Sequence, residues 1–347
     1  MTFVCPRCKG ALDTRTGGYA CQACVEVFPI VCGIPDFRLL PDPYIGIDED
    51  RRKAERLFAR GATCAFPDLL RHYYDVTPED PSDLAARWIP RALAEPDIAR
   101  ALLVEHGLIG GRPPEGGSCE SGDRNGGSRL LDLGCSTGGL LVAAHGGYSE
   151  LIGVDVALRW LAVGLIRLRD AKVAATLVCA NAEHLPFADG AFGAVTCTDT
   201  LEHLRDAAAG LGEARRVSRA GARLLATANN RVAPMPEPNL HLWGVAQLPR
   251  SWQARYVRWR RGDLHPYRIV LRSASELRGM AEAAGYVDVR VGAGAVLAPH
   301  VTSGIAPRVL KAYDRARRLP VIAAMLARVG PKLVLTAAAT ASTPPSP

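Results

Sequence analysis

The sequence predicts an α/β fold: a doubly wound, mostly parallel sheet of seven strands, headed by a small metal-bound ribbon. Three observations carry this. Two C-x2-C pairs, Cys5 with Cys8 and Cys21 with Cys24, stand close to the start of the chain. From Arg129 onward, short apolar runs alternate with helix-length segments, the rhythm of parallel βαβ units. The first of those runs ends in a glycine loop, Gly134-Cys135-Ser136-Thr137-Gly138-Gly139, and the second ends on Asp155.

The chain has 347 residues, enough for one large domain and an accessory module. With 22% charged and 48% apolar residues it reads as globular, not as disordered or fibrous. Ten cysteines without a charged leader and apolar h-region predict reduced thiols and a cytoplasmic location, not a secreted disulfide scaffold. The apolar stretch from Pro320 to Ala327 is too short to span a bilayer. Net charge is +7 and unevenly spread: from Arg250 to Arg272 seven arginines face one acid, Asp263. A local patch of that kind speaks about a partner.

Taken in order, residues 1–40 form the ribbon. Zinc favours four soft ligands in a tetrahedron, and each C-x-x-C turn aims two sulfurs at one point, so Cys5, Cys8, Cys21 and Cys24 are the expected ligands. Gly10, Gly17 and Gly18 let the intervening hairpin turn back. So short a segment cannot bury a core unaided, and metal binding supplies its folding energy. Cys32 lies outside both pairs and reads as a small buried hydrophobe. The text that follows, VFPIVCGIPDFR, makes residues 3–40 resemble the zinc-ribbon domain that activates tRNA and rRNA methyltransferases. That resemblance implies a methyltransferase domain downstream. The ribbon is expected to pack on that domain, buttressing the helices of 41–107, yet as a separate unit to leave cofactor binding intact when lost.

Residues 41–109 read as helices, chiefly Asp48 to Arg60 and Ser82 to His106. Residues 110–128 are rich in Gly, Ser and Pro and read as a flexible linker. The strands of the sheet are then RLLDLGC, ELIGVDV, ATLVCAN, GAVTCTDT and ARLLATANN, followed by a sixth in GYVDVRV and an antiparallel seventh in PKLVLTAA, within a domain spanning 129–340. Segments 229–272 and 303–329 are insertions, the second a helical hairpin, and 341–347 is a disordered tail.

Ligands of such sheets sit at the carboxyl ends of the strands. A dinucleotide calls for G-x-G-x-x-G, but Ser136 stands at the central glycine. Asp132 can hold an ammonium group and Asp155 a pair of ribose hydroxyls. An amino group, a ribose and no phosphate describe S-adenosylmethionine. Over residues 128–295 the chain resembles the class I S-adenosylmethionine-dependent methyltransferases, a Rossmann-like family, through LLDLGCSTGG, GVDVA, CANAEHLPFADGAFGAVTCTDTLEHL and EARRVSRAGARLLATANN. The resemblance implies that Asp132, Gly134, Ser136 and Gly138 frame the methionine moiety and Asp155 the ribose. It further implies that Asn181 accepts from the adenine amino group while the Ala182 amide meets the ring.

Methyl transfer to oxygen needs a base, for which His203 at the strand edge is the candidate, with His241 and His265 as structural histidines. Trp252, Tyr256 and Trp259 share one helix face among arginines. They read as an aromatic stripe packed on the domain, as a membrane-surface helix over 250–261, or as a stacking platform for RNA. The expected function is O-methylation of a small-molecule or lipid-linked metabolite, in the cytoplasm or peripheral to the membrane. The alternatives are an rRNA or tRNA base methyltransferase and a non-catalytic binding module. Residues 1–40 carry Arg7, Lys9, Arg15 and Arg38 against Asp13, Glu26 and Asp36, a surface that offers RNA few phosphate contacts.

Overall fold

In the ribbon, tight turns through left-handed Gly17 and Gly33 help join four short antiparallel strands in sequential order: β1 (Leu12–Arg15), β2 (Gly18–Cys21), β3 (Val27–Val31) and β4 (Ile34–Pro35). A Cβ at Gly18 would stand 2.3 Å from the Phe28 carbonyl oxygen, so only glycine lets β2 and β3 approach. The computed structural model describes residues 2–77, 82–110, 128–237, 242–262, 269–296 and 307–340. The expected linker at 111–127 and tail at 341–347 lie outside the described residues, as do His241 and His265.

Three helices follow the ribbon: α1 (Ile47–Gly61), α2 (Phe66–Asp75) and α3 (Ser82–Glu105). The large sheet comprises β5 (Arg129–Leu133), β6 (Glu150–Asp155), β7 (Thr176–Cys179), β8 (Phe192–Thr198), β9 (Ser218–Asn229), β10 (Tyr286–Ala293) and β11 (Lys332–Ala339). Its order is β10-β11-β9-β8-β5-β6-β7. Strands β5 to β9 run parallel, and β11 lies antiparallel between β9 and β10. The doubly wound, mostly parallel seven-stranded sheet is therefore as expected.

Successive residues of β5 serve opposite cores, because side chains alternate across a strand. Leu131 and Leu133 join the layer of α6 (Ala207–Val217) and α8 (Ala274–Ala283), whereas Leu130 joins that of α3, α4 (Gly139–Ala143) and α5 (Leu158–Ala171). A further layer packs on α5: Leu57, Phe66, Leu69 and Tyr73 of α1 and α2 close over Val163 and Ile166. Helix α7 (Arg250–Arg261) lies in the insertion after β9, and α9 (Pro307–Ala316) with α10 (Pro320–Val329) forms the hairpin before β11. The aromatic stripe of α7 is not uniformly packed. Tyr256 rests on a small cluster with Val257, while Trp252 and Trp259 are exposed.

The ribbon is not a separate unit. Phe3 bridges Phe187, and the Val4 amide donates to the Pro186 carbonyl. Phe28 and Phe37 belong to the same core as Phe187 and Phe192. Beyond β7, Asp36 forms a parallel bridge with Cys179, and the Phe37 amide donates to the Cys179 carbonyl at 2.7 Å. The ribbon's exit thus lengthens the large sheet at its edge, and one core serves both.

Candidate functional site

Four sulfurs meet in the ribbon. Those of Cys5, Cys8, Cys21 and Cys24 all lie within 4.8 Å of one another. Tetrahedral zinc at its usual bond length sets sulfurs about 3.8 Å apart, and the close pairs here are 3.5 Å (Cys5 to Cys24) and 3.4 Å (Cys8 to Cys21). Amides of Cys24 and Ala23 donate to Cys21 and hold its thiol down at about 6, while burial pushes Cys5 up to about 12. The donor set fits a structural metal ion of the zinc type, whose charge would ionise the buried Cys5.

The large cavity opens where β5 and β6 end, and its volume is about 1440 Å³, room for a cofactor and an acceptor together. Gly134, Ser136, Asp155, Asn181, Ala182 and His203 line it. The loop after β5 turns through left-handed residues, Gly134 at φ 74°, Ser136 at 48° and Gly138 at 77°. A Cβ on Gly134 would sit 2.0 Å from the Thr200 hydroxyl, so glycine is required there. This turn aims the Ser136 amide at Asp155, 2.9 Å away, and the Ala157 amide reaches the other carboxylate oxygen at 2.8 Å. Burial raises the Asp155 pKa, and no ion pair engages it among the described residues. A carboxylate so placed has lone pairs left for hydroxyl donors.

Two expected ligands hydrogen-bond within the protein itself. Asp132 is buried under the loop, off the cavity wall, where the Thr196 hydroxyl donates to it at 2.7 Å. Its side chain leaves β5 toward β8. Burial pushes its carboxyl up to about 8. Asn181 stands on the wall, but its carbonyl accepts the amides of Leu39 (2.9 Å) and Leu40 (3.0 Å) and its amide donates to the Leu40 carbonyl. The segment leaving the ribbon occupies the group expected to read adenine. Gly138 caps α4 and is also off the wall.

Behind Asp155 lies a buried ionic network. Arg38 joins Asp36 (2.8 Å) and Asp50 (2.6 Å) and donates to the Val156 carbonyl (3.1 Å). Asp50 also accepts the Leu158 amide at the start of α5 and pairs with Arg159, which reaches Asp42. The strand end that carries Asp155 is therefore held by charges from the ribbon exit and α1.

The far end of the cavity is lined by Asp199, Glu202, His203, Asn229 and Lys332. Asp199 pairs with Arg91 and with Lys332. Glu202 is 1% exposed; Asn229 donates to one of its oxygens at 2.9 Å and the other has no partner among the described residues. Burial, then the charge of Asp199, raises its pKa. Sequence reasoning singled out His203 and passed over Glu202, although both stand in LEHL. His203 is exposed at the cavity.

Residues 131–226 match the family model of the methyltransferase domain. The chain is similar, at 38% identity over 96 residues, to the demethylmenaquinone methyltransferase of Roseiflexus sp., covering 27% of this chain and 40% of that one. It is similar at 29% identity to the ubiquinone/menaquinone biosynthesis C-methyltransferase UbiE of Rhizobium johnstonii, over 52% of this chain and 70% of that one. Among solved structures, the YcgJ protein of Bacillus subtilis matches with 18% identity and a TM-score of 0.45, over 71% of this chain and all (100%) of that one. The chain thus spans less than half of the Roseiflexus relative's length. The ribbon lies outside the matched family segment.

Proposed function

We propose that the protein transfers a methyl group from S-adenosylmethionine to a small molecule. The observation that carries this reading is Asp155: a half-buried carboxylate without an ion pair among the described residues, oriented by two amides where β5 and β6 end. It would hold the ribose hydroxyls, the Gly134–Ser136 backbone the methionine moiety and the Ala182 amide the adenine ring. When bound, S-adenosylmethionine supplies an activated methyl group for in-line displacement. The chain's residues align the acceptor and exclude water. The free oxygen of Glu202, with a raised pKa, would take the acceptor's hydroxyl proton, and His203 would carry it to solvent. Oxygen methylation is the sequence-based expectation; the relative's name as a C-methyltransferase supports a carbon acceptor, which would be one conjugated to a hydroxyl. Both need the same ionised hydroxyl. The ribbon would be a structural zinc unit.

Methyl-labelled S-adenosylmethionine incubated with the full chain and separate extracts of lipids, metabolites and RNA tests this. Label is expected in a small or lipid-linked molecule, and magnetic resonance would then place it on oxygen or carbon. Label confined to RNA would sink the reading.

A further inference from the structure

Helix α10 reads PVIAAMLARV, apolar on nearly every side. Helices of that composition are ordinarily buried, yet no residue of α10 is. Its outward positions are Val321, Ala324, Met325, Arg328 and Val329, all exposed and spaced as one helix face. Val321 is 84% and Met325 55% exposed. The inward positions Ile322 and Leu326 are half-buried, and the helix packs along β10. The outward face is therefore not needed to hold the helix in place.

Helix α9 adds charge. Arg308, Lys311 and Arg315 are exposed on one of its faces and form no ion pair among the described residues. Its single acid, Asp314, is engaged by Arg317 and Arg318. Arg317 also clasps Glu105 of α3 at 2.6 Å. Those same three residues, Asp314, Arg317 and Arg318, line the cavity. One hairpin thus carries an apolar stripe, three exposed cations without an ion pair among the described residues, and part of the cavity wall.

We propose that the α9–α10 hairpin seats the protein on an anionic lipid surface. Apolar side chains enter the acyl boundary while cations meet the headgroups, the arrangement of interfacial helices. Docking of the hairpin at the cavity wall gives a lipid-soluble acceptor a short path, a consequence that rests on the methyltransferase reading; the docking itself does not.

The full chain should co-sediment with vesicles of phosphatidylcholine containing phosphatidylglycerol, less so as salt rises, and not with phosphatidylcholine alone. Each cation near such a surface contributes roughly fivefold, so Arg308→Glu/Lys311→Glu/Arg315→Glu should weaken binding by about a hundredfold. Val321→Asp/Met325→Asp should weaken it by about tenfold or more, and Val321→Ser/Met325→Ser serves should the acidic pair not fold. Calorimetry with S-adenosylmethionine on the same variants should be unchanged; failure of that binding in the parent chain sinks the enzymatic reading and leaves docking standing. Absence of sedimentation with anionic vesicles, variants that bind like the parent, or a dimer that the Val321 variants dissociate would each overturn the proposal.

Discussion

Asp155 and Asp132 are both acids at strand ends, the first half-buried and the second buried, and their surroundings assign them different work. The amides of Ser136 and Ala157 leave Asp155 facing the cavity. Asp155→Ala should weaken S-adenosylmethionine binding by about tenfold or more, since two charge-assisted bonds disappear; unchanged calorimetric affinity in a folded variant would remove Asp155 from the site. Asp132 has an ordinary value of 3.8 pushed to about 8 by burial. Between those values the folded chain keeps a proton that the unfolded chain has released, so stability falls as pH rises. Asp132→Asn abolishes this contribution and preserves an acceptor for Thr196. Thermal melts should show the variant more stable than the parent at pH 8, with the difference closing toward pH 4; a difference that ignores pH would refute the buried neutral acid. The motif text identified both aspartates, because motif spacing survives in sequence. It could not show which one reaches the cavity, because that depends on the β8 hydroxyl facing β5.

Among the elements, the segment from β4 to α1 has the widest consequences. Arg38 has no exposed side-chain surface and joins two acids. Removing one member of a buried ionic cluster leaves charges uncompensated, so Arg38→Met should destabilise by about 3–5 kcal/mol in denaturant titrations. A loss within error would mean that water reaches the network. The metal site belongs to this scale too. Purified protein should hold one zinc per four-cysteine site, and Cys5→Ser/Cys8→Ser should release it; metal analysis finding iron or nothing would contradict the ribbon. Sequence spacing made the four cysteines legible because chelate turns are local. The occupation of Asn181 by the Leu39 and Leu40 amides was not legible, because it joins segments far apart in the chain.

For the whole molecule, a ribbon that shares its core and its sheet edge with the large seven-stranded sheet cannot be removed neutrally. Deleting residues 1–40 takes away Asp36, Arg38 and the partners of Asn181. Stability and S-adenosylmethionine affinity should fall together, and any RNA affinity should keep its salt slope, because the ribbon offers few phosphate contacts. Intact cofactor affinity after the deletion would restore the ribbon as an independent unit. The sequence by itself determined the parallel sheet, its strand succession, the glycine loop and the cysteine pairs, since each is written in periodicity or in spacing over a few residues. Only the tertiary structure decided that Asp132 is covered, that Asn181 is engaged, that Glu202 keeps a free oxygen and that α10 turns an apolar face outward. Those outcomes depend on which distant segment fills the space beside each side chain, and burial of that kind has no local period to read.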